Sequence, residues 1–357
     1  MSDCRKEGEE KMAKAIFISN DCWLCVFDLL TPSKLGLGIA LISHRFDFYV
    51  DEHFKTRKWA LAFLQIRRKV AKNGTKEMEI FNCRQIPIPI SEKPLQKKVI
   101  GFEVISIRFI DQNVLTFLRR FRQLFAVCPI NLAIDTASDR ILLFILRNIW
   151  PMIAKNICGL FLWTDTFHRL RQLVPSFLND CPSLCVFSND YNDFFAEFPC
   201  DDSAAASDGQ AVAKWLFTAL PNNVPKVFKY ELDADDENLA SNIEAIKAVF
   251  ANASSPVNFI VVIQNPSSFA ASVVPFDLIN ELTHEQLALK TDDDEYFLLV
   301  RCPIARDESK WAKWEEEAIG WQIDDQWNII HIYMDDEREI GDGLLDETPG
   351  PSDQQQK

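Results

Sequence analysis

Residues 101–135 read GFEVISIRFIDQNVLTFLRRFRQLFAVCPINLAID and hold two hydrophobic periods in succession. Val104, Ile105, Ile107, Phe109 and Ile110 crowd into a run of strand length. From 114 to 126 the apolar residues Val114, Leu115, Leu118, Phe121 and Leu124 recur every three or four positions, the period of a helix buried along one face. At 131–135 the chain returns to a short apolar run. Strand, helix and strand in this order make one βα unit, and such units build parallel sheets.

The alternation continues downstream. Helices are expected at 140–154, 167–179, 210–220 and 238–251, and strands at 160–163, 184–187, 226–232 and 257–264. Leu239, Ile243, Ile246 and Phe250 keep one apolar stripe, as a helix packed on a sheet requires. With Val104, Leu132, Leu160, Leu184, Phe228 and Phe259 as strand markers, the steps are 28, 28, 24, 44 and 31 residues. A period this regular favours an open, curved, leucine-rich-repeat-like sheet in which each unit packs on its neighbours. The Leu-x-x-Leu-x-Leu consensus is absent, and a doubly wound sheet is the alternative. The long step holds the loop 188–210, whose Phe194, Phe195 and Phe198 either form a partner surface or tuck over the sheet, the reading preferred.

On either side of the repeats the pattern changes. Upstream, apolar-polar runs at 59–70 and 77–83 flank Asn73-Gly74, a hairpin signal, and the proline-rich stretch 85–94 reads as a connector. Downstream, short β-like runs at 273–280, 287–291 and 296–302 suggest an antiparallel meander. A helix at 305–320 with Trp311, Trp314 and Ala318 follows, then Trp321 and a strand at 327–334, together a small α+β cap over the last repeat. From Asp335 onward the tail is acidic and too poor in apolar residues to fold.

With 357 residues, 48% of them hydrophobic, the chain can bury large cores. Its net charge of −14 lacks the basic footprint of a nucleic-acid or anionic-membrane binder. Arg119, Arg120 and Arg122 alternate with apolar residues and read as a solvated helix face. The charged start has no secretory h-region, and the most apolar stretch, 141–154, is short and broken, so an intracellular protein, cytoplasmic or nuclear, without a membrane span is expected. The ten cysteines lack a framework or zinc spacing.

Residues 18–54, ISNDCWLCVFDLLTPSKLGLGIALISHRFDFYVDEHF, read as short helices with more apolar surface than they can bury alone. Asp21, Trp23, Leu24, Val26, Phe27, Leu30, Leu35, Leu41 and Phe46 stand where the F-box pattern wants them, although Ile18-Ser19 replaces Leu-Pro, Lys34 an acidic residue and Phe46 a tryptophan. The chain as a whole, with phrases such as VIGFEVISIRFIDQ, NIWPMIAKNICGLFL and KWAKWEEEAI, resembles an expanded family of F-box proteins from plant-parasitic nematodes. Beside the segments read from the residues, a charged segment at 1–14, a hairpin and linker at 56–95, βα repeats at 96–266, the antiparallel sheet and helix cap at 267–334 and the acidic tail at 335–357, that resemblance implies an F-box at 15–55. It further implies the substrate receptor of a Skp–cullin–F-box ubiquitin ligase. The adaptor-facing surface would be Trp23, Leu24, Phe27, Leu30, Pro32, Leu35 and Leu41, with Ile18 and Phe46 at its margins, and the C-terminal part would hold a target protein. A protein-interaction solenoid without ligase coupling and an α/β enzyme are the alternatives.

A search for enzyme motifs finds none of the glycine-rich phosphate cradles or nucleophile elbows. Ile134-Asp135-Thr136-Ala137-Ser138 resembles an aspartic-protease loop, but Ala137 replaces glycine and no second copy is present. Asp135 or Ser138 suits a helix cap better. The expectation is a non-catalytic adaptor with no cofactor and no metal.

Overall fold

A computed structural model describes residues 18–30, 35, 39–56, 58–70, 76–88, 98–190, 194–231, 239–264, 274–292, 296–341 and 344–345. The chain divides into two units, Met1–Trp59 and Ala60–Lys357. The Asn73-Gly74 turn, Pro32 and most of the proline-rich connector lie outside the described residues.

In the first unit, α1 (Asn20–Phe27) starts behind Ser19, whose Oγ accepts from the Cys22 amide at 3.3 Å and caps the helix. A 3₁₀ turn (Ala40–Ile42) leads into α2 (His44–Thr56). Phe27, Leu35 and Val50 are buried at the centre, with Trp23, Leu24, Leu30 and Phe46 packed around them. Trp23 meets Phe46 edge-on at 4.8 Å. The Asn20 side-chain oxygen accepts from Tyr49 Oη at 2.5 Å and from Arg45 at 3.2 Å, tying α1 to α2.

In the second unit, the β-branched and aromatic runs become one mixed sheet. Its strands, in chain order, are β1 (Leu64–Val70), β2 (Lys76–Phe81), β3 (Pro87–Ile88), β4 (Val104–Ile107), β5 (Ile130–Thr136), β6 (Ile157–Trp163), β7 (Val186–Asp190), β8 (Lys226–Glu231), β9 (Phe259–Gln264), β10 (Phe276–Asn280), β11 (Glu285–Asp292), β12 (Tyr296–Pro303) and β13 (Ile329–Met334). Their spatial order is β10-β11-β12-β9-β8-β7-β6-β5-β13-β4-β1-β2-β3. From β1 to β9 the neighbours are parallel, and both flanks are antiparallel. From β4 to β9 the strands follow the chain in order, with β13 inserted between β4 and β5, so the strand-order reversal of a doubly wound sheet does not form, and the open-sheet expectation stands.

The connecting helices are α3 (Gln112–Arg120), α4 (Arg122–Phe125), α5 (Asp139–Asn148), α6 (Trp150–Ile153), α7 (Thr164–Leu173), α8 (Asp208–Leu216) and α9 (Leu239–Ala251). Alternation along each strand sends one set of side chains toward them. Phe187 meets Phe167 of α7 at 5.2 Å and Trp215 of α8 at 6.0 Å, and stacks on Phe228 at 5.7 Å. Phe194 and Phe195 of the long loop are buried in this layer, and Phe198 packs on Phe217, so the loop tucks over the sheet. Arg171, itself buried, holds that loop by donating to the carbonyls of Ser203, Ala206 and Ser207.

The terminal elements differ from the expected cap. β10 to β12 extend the sheet itself, with β12 antiparallel to β9. A buried pair, Arg301 Nη2 to Glu285 Oε2 at 2.6 Å, locks β12 to β11, and Glu285 Oε1 also accepts from the Val257 amide at 2.8 Å. Removing one partner of such a pair costs about 3–5 kcal/mol. Helix α10 (Glu308–Gly320) then crosses the second face of the sheet, where Trp311 and Ala318 pack on Val227, Ile260, Val262, Leu298 and Val300. Lys229 donates to the carbonyls of Ile319 and Trp321 at the end of α10, a cation at a helix C-terminus. Beyond it, β13 enters the sheet between β4 and β5 instead of staying with the meander. Both neighbours offer parallel partners there, and Ile330, Ile332 and Met334 fill the helix-facing core.

The acidic tail is likewise ordered at its start. Ile340 is buried and bridges Ile110, and Glu337 pairs with Arg140 at 2.7 Å, so one apolar residue and one ion pair anchor what composition alone assigned to disorder. Leu344 and Leu345 line a groove with Leu115, Leu143 and Phe144. No helix among the described residues is long and apolar enough to cross a membrane.

Candidate functional site

Two surfaces emerge, one on each unit. On the first, the residues expected to face an adaptor separate into two groups. Phe27 and Leu35 are each 1% exposed and form the unit's own core; Trp23, Leu24, Leu30 and Phe46 are half-buried against them. Ile18 and Leu41 point outward, and Pro32 is outside the described residues. Sequence reading missed that the outward apolar residues include Val26, Leu29, Ile42 and Phe48. Leu29 is 85% exposed, Leu41 78%, Ile42 62% and Phe48 59%. Helical spacing marks which residues share a face, but on helices this short it does not say which face turns inward.

On the second unit, the sheet face opposite α3 to α9 is covered unevenly. Helix α10 lies over β8, β9 and β12, and the segment 321–328 lies over the amino-terminal ends of β5 and β6. There Asn131 Nδ2 donates to the Trp327 carbonyl at 2.8 Å and the Phe102 amide donates to Asn328 Oδ1 at 2.9 Å. Gly159 is required by this approach, because an added Cβ would overlap Asn131 Oδ1 and press on the Trp321 ring.

The carboxyl-terminal half of the same face stays accessible across β6, β5 and β13. Register places Tyr333 beside Asp135, and His331 beside Ala133. The small Ala133 lets rings on either side approach: Trp163 stacks with His331 at 6.4 Å and an interplanar angle of 10°. Phe161 meets Trp163 edge-on at 4.9 Å, and the Arg108 guanidinium lies over Tyr333 at 4.8 Å. Burial, with Arg108 second, pushes the His331 imidazole below its ordinary pKa. Burial, followed by the neighbouring Asp335, pushes the Asp135 carboxyl up. The Tyr333 phenol is pushed up by donating a hydrogen bond to Asp335. The alternation Ile-His-Ile-Tyr-Met in β13 was the available sequence signal for a strand with one apolar and one mixed face.

At the carboxyl ends of β5 and β6 an open cleft of about 720 Å³ is lined by Ser138, Arg140, Asp165, His168, Arg169 and Glu337, among others. Its basic side chains are engaged: Arg140 by Glu337, Arg169 by the Ala137 carbonyl, and the His168 ring by Asp208 at 3.0 Å. Ser138 caps α5 by accepting from the Ile141 amide, the role expected in place of protease chemistry. Cys22 and Cys25 are exposed on α1. Among the described residues no group of three or more His, Cys, Asp or Glu is placed to hold a metal ion. No protein-family model, no curated protein and no solved structure matches the chain.

Proposed function

We propose that the chain is the substrate receptor of a Skp–cullin–F-box ubiquitin ligase, working in the cytoplasm or nucleus. The first unit is the F-box and binds the Skp adaptor; the leucine-rich-repeat-like second unit holds a target protein. The receptor does no chemistry of its own and acts by raising the effective concentration of the target at the ligase. The observation that carries this reading is the set of outward apolar residues on a small helical unit that already has a core: Leu29, Leu41, Ile42 and Phe48. Exposed apolar surface of this kind marks a partner site. The residue pattern shared with F-boxes supplies the identity of that partner.

The structure changes which variant tests the idea. Phe27 and Leu35 are core, so truncating them unfolds the unit whether or not an adaptor binds. Leu41→Asp with Ile42→Asp alters only outward residues. Titration of purified Skp adaptor into the full chain is expected to show binding that this double variant weakens by about tenfold or more, with an unchanged helical circular-dichroism signal. Equal binding by the variant removes the 3₁₀ turn from the interface. No binding by the wild-type chain leaves an interaction module without ligase coupling.

A further inference from the structure

Asp135 is half-buried at the end of β5, the register partner of Tyr333 and one residue past the Ile134–Leu162 pair that leads to Trp163 on β6, yet among the described residues it makes no hydrogen bond and no ion pair. A carboxylate drawn partly out of water without a partner raises the energy of the fold, and a cation arriving from outside would recover that loss. Arg108 does not fill the role: its guanidinium is taken up by the Tyr333 ring, on the strand between it and Asp135. Arg67, further along the sheet, lies over Phe81. Of the other titratable groups at this face, Asp324 and Asp335 are negative, and the His331 imidazole acts on Asp135 without forming an ion pair with it, its own charged form disfavoured by burial.

Trp163 supplies the second half of a recognition pair. One face of its ring stacks with His331 and Phe161 stands perpendicular to it at 4.9 Å, so the ring is fixed before any ligand arrives. An aromatic face beside a carboxylate selects an ammonium or guanidinium group, the ring by its quadrupole and the carboxylate by charge. The chain's net charge of −14 adds a long-range field that draws a basic partner in.

We propose that the accessible half of this face binds an arginine or lysine side chain on a basic segment of a partner protein, with Asp135 taking the charge and Trp163 the flat side of the group. That partner is the ligase target only if the receptor reading above holds; the site itself stands on its own geometry.

The test is fluorescence anisotropy with the full chain and a fluorescein-labelled peptide of alternating arginine and serine, at physiological salt and without adaptor. The wild-type chain is expected to bind it and to ignore an alternating glutamate–serine peptide. Asp135→Asn, which keeps the side chain's shape, and Trp163→Ala are each expected to weaken binding by about tenfold. Glu244→Gln, which removes one exposed charge from α9, should change it by less than about twofold. The proposal is overturned if the wild-type chain does not bind, if Asp135→Asn and Glu244→Gln weaken binding equally, or if both peptides bind alike. Peptide binding without adaptor binding would sink the receptor reading and leave the site, whereas adaptor binding without peptide binding would do the reverse.

Discussion

Lys226 shows how a single buried charge sets a pH dependence. It is 4% exposed on the helix-facing side of β8, donates to the Trp215 carbonyl at 2.5 Å and lies 5.0 Å from the Trp215 ring centre. Those contacts do not replace lost water, and burial lowers its pKa from 10.5 to about 8. Between these two values the unfolded chain keeps a proton that the folded chain has released. Stability therefore rises with pH across that window, and the full penalty of burying the ammonium applies below about pH 8. Lys226→Met has no such proton to lose. Its stability relative to wild type is expected to fall by about 2 kcal/mol between pH 7 and pH 10, as the wild-type chain sheds its penalty. Urea midpoints of both proteins at the two pH values give the difference, and a variant whose stability relative to wild type holds level or rises toward pH 10 would contradict the assignment.

Among the elements, β13 separates what local sequence encodes from what it does not. Strands β4 to β9 and the helices between them fall within a few residues of their expected positions, because hydrophobic period and caps are properties of neighbouring residues. The partner of a strand is not such a property. Nothing in IIHIYM says that it joins residues near 104 and 131 in place of the adjacent meander. Likewise, Leu41 and Phe27 both fit the same motif, and only packing makes one outward and the other core. Of the accessible sheet face, Asp135 stands out in the sequence for its protease resemblance, while Trp163 on β6 and His331 and Tyr333 on β13 do not, because only the sheet brings these distant strands to either side of β5. The insertion has a measurable consequence. A C-terminal strand at an edge would fray, but β13 bonds on both sides and buries Ile330, Ile332 and Met334. Its amides, from Ile330 to Ile332, are expected to exchange with deuterium only through global unfolding, as slowly as those of β5. Exchange as fast as in β10 would show that the central position is wrong.

For the whole molecule, the same insertion fixes the order of folding. Leu132 and Leu160 pair across 28 residues, a distance that one helical crossover spans, whereas Ile105 and Ile330 pair across 225. Chain entropy opposes the second contact more strongly, and it needs β4 and β5 already positioned on either side. Folding should therefore assemble β5 to β9 first and admit β13 last. The accessible sheet face depends on that last step, since His331 and Tyr333 arrive with β13 and the Trp163 ring has nothing to stack against until they do. Pulsed hydrogen exchange during refolding from urea is expected to protect Leu132 and Leu160 in an early phase and Ile105 with Ile332 in a later one. Peptide binding followed in the same refolding reaction should appear with the later phase. If Ile332 gains protection together with Leu160, the C-terminal strand is part of the nucleus, and the sheet grows around β13 and not toward it.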